Sequence, residues 1–355
     1  MKVLVLGGTG AMGVNLVQFL VHKKITTFVT SRRYCKSGGY LQYIQGDAHN
    51  INFIINILES NKWDTIVDFM VYNTQTFKER VDILLNNTKQ YVFLSSARVY
   101  ADFERPITEI SPRLLDVSED AVYLATDEYA LTKARQEDIL KKSGRKNYTI
   151  IRPYITYNEN RLQLGVFEKE DWLYRALHGR TIFFSEDICK KVTTLTYGYD
   201  VSNAIAELVG NVNALGETFH ITHNKQESCQ WQYVLDIYLE ILERHLGYKP
   251  KVSLQNLNNF LNMSLPAGEY QVLYDRLFDR YFDNSKIAQY IEVDNFMNIK
   301  EGLNKCIESF LKNPQFNQID WRRQARMDKA CNEKTSLFEI QGIKQKLKYL
   351  FFRYS

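Results

Sequence analysis

The first thirteen residues, Met1-Lys-Val-Leu-Val-Leu-Gly-Gly-Thr-Gly-Ala-Met-Gly13, constrain this chain more than any other stretch. An apolar run from Val3 to Leu6 leads straight into glycines at 7, 10 and 13, and apolar residues then recur at Val14, Leu16, Val17, Leu20 and Val21. That pattern reads as strand, tight turn and helix. Gly7 lets the strand end turn sharply, Gly10 leaves room for the backbone to approach a pyrophosphate, and Gly13 lets the helix lie close to the sheet. The helix N-terminus adds N–H donors and a partial positive charge. The spacing is Gly-x-x-Gly-x-x-Gly. A glycine turn alone is weak, but this one follows a strand and opens a helix, so Gly7, Thr9, Gly10, Ala11, Met12 and Gly13 form a candidate dinucleotide cradle.

The rest of the amino-terminal half repeats the strand–helix rhythm. Strands are expected at Ile25–Thr30, Tyr40–Gln45, Trp63–Val71 and Gln90–Ser96, with helices at Asn50–Asn61 and Thr74–Asn86. The apolar run Tyr91–Leu94 implies burial on both faces, as in a parallel sheet. A doubly wound, Rossmann-type α/β sheet follows. After the second strand stand Ser31, Arg32 and Arg33, where NAD-binding turns usually carry an acid for the ribose 2′-hydroxyl. Two arginines and a hydroxyl suit a 2′-phosphate, so NADP is favoured over NAD; solvated loop arginines are the plainer reading.

Ser95 and Ser96 close the fifth strand, and a later helix carries Tyr129 and Lys133. A four-residue spacing puts the last two on one helical face. With this order of glycine turn, strand-end serines and Tyr-x-x-x-Lys, the chain resembles an extended short-chain dehydrogenase/reductase of the NAD-dependent epimerase/dehydratase group that acts on nucleotide-sugars. The resemblance covers roughly residues 1–315. It rests on the glycine turn, Gly46-Asp47, Ser95-Ser96-x-x-Val99-Tyr100, Tyr129-x-x-x-Lys133 and Arg152-Pro153.

The resemblance implies that Tyr129 is the general acid/base, that Lys133 lowers its pKa and holds the nicotinamide ribose, and that Ser96 meets the substrate oxygen. It places Asp47 on the adenine amino group, Pro153 beside the nicotinamide, and Arg98 and Arg161 on the substrate. It also suggests a homodimer. Gln163, Lys169 and Trp172 lie where the nucleotide-sugar is expected, with loop or interdomain packing as their plainer reading.

Departures from the family narrow the reaction. Sugar 4,6-dehydratases carry Asp-Glu after the catalytic Ser or Thr, where this chain has Ala97 and Arg98, which argues against dehydration. Arg152-Pro-Tyr-Ile155 differs from the Arg-Tyr-Phe-Asn of many 4-epimerases. Asp68-Phe-Met-Val-Tyr72 is similar to an atypical branch that includes chloroplast stem-loop RNA-binding proteins. The expected activity is hydride transfer at a carbinol or ketone carbon, C4 of a nucleotide-activated sugar, with a 4-keto-sugar reductase ahead of a 4-epimerase that keeps its NAD bound. A non-catalytic dinucleotide-sensing or RNA-binding module is the third reading.

Domains are expected at 1–160 for the dinucleotide-binding sheet and 161–315 for a smaller mixed α/β substrate lobe, some segments of it returning to the sheet. A basic helical tail at 316–355 completes the chain. Residues 317–355 hold nine Lys/Arg and four Asp/Glu, a net +5 of the chain's +4, so the body is near neutral and no nucleic-acid partner is expected. Cysteines at 35, 189, 229, 306 and 331 form no Cys-x-x-Cys pair, which fits a reducing, cytoplasmic setting and no metal site. His220 and His223 read as strand residues without a carboxylate partner, not as metal ligands. In the tail, Ile340, Ile343, Leu347, Leu350 and Phe351 make an apolar stripe within an expected helix at Ser336–Phe352, flanked by Lys344, Lys346, Lys348 and Arg353. Docking on its own domain or a dimer partner with lysines outward is the simpler account, and an anionic membrane surface the other.

Overall fold

A computed structural model of the chain describes residues 1–10, 12–263 and 266–355. They form two compact units, the first made of Met1–Thr156, Thr194–Glu227 and Tyr281–Met297, the second of Tyr157–Thr193, Ser228–Arg280 and Asn298–Ser355. Ala11 lies outside the described residues.

The first unit is built on seven strands: β1 (Lys2–Leu6), β2 (Thr26–Ser31), β3 (Leu41–Gln45), β4 (Trp63–Asp68), β5 (Thr88–Leu94), β6 (Tyr148–Pro153) and β7 (Glu217–Ile221). They pair in parallel in the order β7-β6-β5-β4-β1-β2-β3, with Leu6 opposite Asp68 and Asp68 opposite Phe93. The order reverses direction between β1 and β4, the switch point at which such sheets bind ligands.

Alternation along each strand builds two cores. Val3, Val5, Val29, Val67 and Val92 pack with α1 (Gly13–His22) and α5 (Gly198–Leu208) on one face. Leu4, Leu6, Ile66, Tyr91 and Phe93 pack with α2 (Ile51–Ser60), α3 (Thr74–Asn86) and α4 (Tyr129–Lys142) on the other. With helices on both faces, this is the expected doubly wound sheet. Two ends differ from expectation. β4 stops at Asp68, whose carboxylate accepts from the Met70 N–H at 2.9 Å and turns the chain out of the sheet. β5 begins two residues early, at Thr88, and ends at Leu94.

The second unit pairs Ile182–Ser185 in parallel with Val252–Gln255 and packs the helix Trp231–Leu246 against Ile299–Lys312. The basic tail belongs to it. Arg175, fully buried, donates to Asp328 at 2.7 Å and to Glu333 at 2.8 Å, and Tyr174 packs edge-on against Trp321. The last helix runs Ile343–Tyr354, seven residues later at its start than expected, because Gly342 at φ +83° breaks helical geometry just before it.

Candidate active site and family membership

The glycine turn folds as its spacing requires. Gly7 takes φ +70°, a conformation a side chain disfavours, and its N–H donates to Thr30 Oγ1 at 3.2 Å. A β-carbon on Gly13 would lie 2.6 Å from Gly8 Cα, so Gly8 and Gly13 together set how closely α1 approaches the sheet. A β-carbon on Gly10 would meet only Gly7 O, at 3.5 Å, and Thr9 and Gly10 are exposed. Met12 precedes α1 without capping it by a side chain, while the Val14 N–H donates to Gly10 O at 3.1 Å and ties the turn to the helix start. Open backbone, uncapped helix and switch point fit a dinucleotide pyrophosphate.

At the end of β2 the picture is mixed. The Ser31 hydroxyl is buried and engaged by its own loop, donating to Arg33 O at 2.8 Å and accepting from Arg33 N at 3.2 Å. Arg32 and Arg33 are exposed, and neither guanidinium makes an ion pair among the described residues. Asp47 is also exposed, its carboxylate accepting from His49 N at 2.9 Å.

The strand ends and α4 bring the remaining candidates together. Ser96, after β5, caps the single turn Ala97–Val99, its Oγ accepting from Arg98 N at 3.2 Å. The O–H of that serine is thereby left to donate elsewhere. α4 packs against this turn and opens with Tyr129, which is about one-third exposed at 37%. Lys133, one turn further and buried, donates from Nζ to Leu94 O at 2.6 Å. Its Nζ lies 5.9 Å from the Tyr129 ring centroid, and the Arg98 guanidinium 5.2 Å from the same ring. Arg98 was expected on the substrate; here it donates to Glu128 at 2.6 Å, and Glu128 also caps α4 by accepting from Ala130 N at 2.7 Å.

Burial pushes the Lys133 ammonium down to about 8, against the opposing pull of Asp68 and Glu137. Asp68 at the end of β4 accepts from Tyr91 Oη at 2.8 Å, and burial raises its carboxyl above the usual range. Glu137, one helical turn beyond Lys133, accepts from both arms of Arg152 at 2.8 and 2.5 Å and from Ser95 at 2.5 Å. Although buried, it stays below the usual carboxylate range because Arg152 offsets desolvation. Neither acid was among the sequence candidates. Glu137 continues the Tyr129, Lys133 spacing on the same helical face; Asp68 gave no such signal.

Pro153 ends β6 opposite Ile221, and two residues on Ile155 takes φ +31°, an outlier for a β-branched residue. Strain of this kind clusters at ligand sites. His220 is buried with its ring against Tyr100 Oη at 3.3 Å and Asp283 O at 2.5 Å, and His223 reaches Met297 O at 3.1 Å. Among the described residues no three His, Cys, Asp or Glu side chains group to hold a metal.

The candidate substrate residues of the second unit have local partners. Arg161 and Gln163 both donate to Glu168, at 3.1 and 2.6 Å, and Lys169 pairs with Glu170 at 2.6 Å. Trp172 is fully buried against Tyr238, ring centroids 4.4 Å apart, which is the packing reading of that residue.

A parallel sheet with a glycine cradle at its switch point, a serine at a strand end and a tyrosine and lysine on the helix packed beside it defines an extended short-chain dehydrogenase/reductase fold. The chain belongs to the NAD-dependent epimerase/dehydratase family, whose model matches residues 3–222. No curated protein sequence matches it. Among solved structures it is similar to the Bordetella bronchiseptica enzyme WbmH in complex with NAD+, at 16% identity and TM-score 0.67, covering 88% of this chain and 99% of that one. It is also similar to UDP-glucuronic acid 4-epimerase from Bacillus cereus, solved with UDP-glucuronic acid and NAD, at 15% identity, TM-score 0.65 and coverage of 88% and 99%. UDP-glucose 4-epimerase from Bifidobacterium longum, with NAD+ and UDP, gives 16%, 0.64, 88% and 99%. At these identities the likeness is one of fold.

Proposed function

We propose that the chain is a nucleotide-sugar 4-epimerase that holds its own dinucleotide, with Tyr129 as the proton-exchanging group. The observation that carries this reading is the Tyr129–Lys133 pair opening α4 beside the strand ends, with a glycine cradle at the switch point of the same sheet. Family membership and the 4-epimerases among its structural neighbours support it over the reductase expected from the sequence.

Gly7, Gly10 and the first turn of α1 would hold the dinucleotide's pyrophosphate, which the family implies. When bound, the nicotinamide would accept hydride from the sugar's C4 and give it back. The chain's own work is with the proton. A free tyrosine has a pKa of about 10, too high for a base at neutral pH. The Lys133 ammonium and the Arg98 guanidinium stand 5.9 and 5.2 Å from the Tyr129 ring centroid, two cations beside the group that would exchange the proton. Tyr129 then takes the proton of the C4 hydroxyl and later returns it to the same oxygen, while the Ser96 O–H donates to that oxygen and steadies it.

The second reading is an NADPH-dependent 4-keto-sugar reductase, favoured by the guanidiniums of Arg32 and Arg33, which make no ion pair among the described residues, and weakened by the engaged Ser31 hydroxyl. Mass spectrometry of the co-purifying dinucleotide, followed by incubation with UDP-glucuronate and UDP-glucose without added cofactor, separates the two. Bound NAD and appearance of the C4 epimer by NMR support the epimerase. NADP, or turnover only of 4-keto sugars with added NADPH, moves the protein to the reductase. A chain that binds no dinucleotide overturns both.

A further inference from the structure

The helix that ends the chain, Ile343–Tyr354, faces its apolar side outward. Ile343, Leu347, Phe351 and Tyr354 are 62–76% exposed, and their spacing of four, four and three residues lines them up as one stripe. The opposite side is the anchored one. Tyr349 is buried, its hydroxyl donating to Asp328 at 2.7 Å and accepting from Thr335 N at 2.8 Å, and Arg326 lies 5.3 Å from the Phe352 ring. The apolar stripe expected from the sequence therefore divides: Ile340 is buried, Leu350 half-buried, and Ile343, Leu347 and Phe351 are left in water. Phe338, just before the helix, is 98% exposed.

Charge identifies what covers such a face. The helix carries Lys344, Lys346, Lys348 and Arg353 and no acidic residue. Lys344 and Lys348 each follow a stripe residue directly in sequence, so they edge the apolar side. We propose that this helix lies in the plane of an anionic lipid surface, with Ile343, Leu347 and Phe351 among the acyl chains and the lysines on the headgroups. A second copy of the helix fits less well. A two-fold contact through the stripe would bring Lys344 and Lys348 of both helices together, with no carboxylate on either helix to pair with them. No helix among the described residues is long and apolar enough to cross a membrane, so the contact is peripheral.

Co-sedimentation of the full chain with vesicles tests this. Binding to phosphatidylglycerol/phosphatidylcholine vesicles should exceed binding to phosphatidylcholine alone by about tenfold or more and weaken as salt is raised. Leu347→Glu with Phe351→Glu should abolish it. Lys344→Glu with Lys348→Glu should reduce it to the level seen with the neutral vesicles. All four side chains lie on the outer part of the helix, so the variants should melt with the wild type, and the lysine pair supplies an independent test should the apolar pair fail to fold. A folded wild-type chain that stays in the supernatant with anionic vesicles overturns the proposal. So does equal binding to both vesicle types. A dimer in light scattering that Leu347→Glu converts to monomer would assign the face to a second copy instead.

Discussion

Asp68 and Glu137 are both buried, both act on the charge of Lys133, and have opposite surroundings. Glu137 is gripped by a bidentate arginine, a second arginine at 3.3 Å and a serine. Asp68 accepts from two tyrosines and a backbone N–H, all neutral. One carboxylate is therefore locked in its charged form and the other is not. The contrast shows how one fold can fix a helix in place and still leave its lysine adjustable. Arg152 neutralises the acid that anchors α4, so the ammonium's charge is balanced mainly by the weaker acid at the end of β4.

The comparison has functional meaning only if Lys133 serves Tyr129. Tyr129→Phe should lower turnover roughly 10²–10⁴-fold, the usual share of a general acid/base, with the co-purifying dinucleotide retained in mass spectra. Unchanged turnover would remove the tyrosine from the chemistry and leave both carboxylates as structural features.

Glu137→Gln breaks the locked side. It leaves Arg152 buried without its carboxylate, which costs about 3–5 kcal/mol when a buried pair is broken. The sign with pH follows from the lowered carboxyl: Glu137 contributes stability above its unfolded value of 4.5 that is lost as pH falls, so the variant's melting temperature should be lower at neutral pH and depend less on acid. Calorimetry across pH 4–8, roughly the span over which such carboxylates act, reads both. Equal melting temperatures at neutral pH would mean that Glu137 is no lock.

The same pair marks the limit of what the sequence discloses. Tyr129 and Lys133 were legible because a four-residue spacing is a property of one helix, and Glu137 extends it by another turn. Asp68 and Tyr91 meet only through the register of β4 on β5, which no local pattern encodes. Strands buried on both faces announce themselves as apolar runs, so most of the sheet was readable; the end of β4 was not, because Phe69, Met70 and Val71 prolong the run after Asp68 has turned the chain. The second unit gave less. Its longer strands, Ile182–Ser185 and Val252–Gln255, pair across some seventy residues of sequence. The Arg98–Glu128 ion pair spans thirty residues of sequence, so no local pattern announces it.

Arg98 supplies the second cation near Tyr129 and is itself paired with Glu128. Arg98→Gln should remove one of the two cations near the ring while leaving Lys133 untouched, lowering kcat/KM several-fold, an effect of about 1 kcal/mol. Loss of dinucleotide binding in this variant would point instead to a disturbed Ala97–Val99 turn.

Asp68→Asn sharpens the comparison from the adjustable side, with the smallest effect. Burial has raised this carboxyl above its ordinary value, so its charge opposes folding above pH 3.8, the reverse of Glu137. Removing the charge should offset much of the acceptor lost to Tyr91, leaving stability within about 1 kcal/mol of wild type. The effect belongs in the pH profile. Asp68 holds Lys133 protonated against burial, which has brought the ammonium to about 8. Without that carboxylate the lysine releases its proton at lower pH, so the alkaline limb of turnover should move to lower pH, with melting temperature nearly unchanged. The same alkaline limb in wild type and variant would show that the acid at the end of β4 does not reach the chemistry, and that the two carboxylates differ only in how they are held.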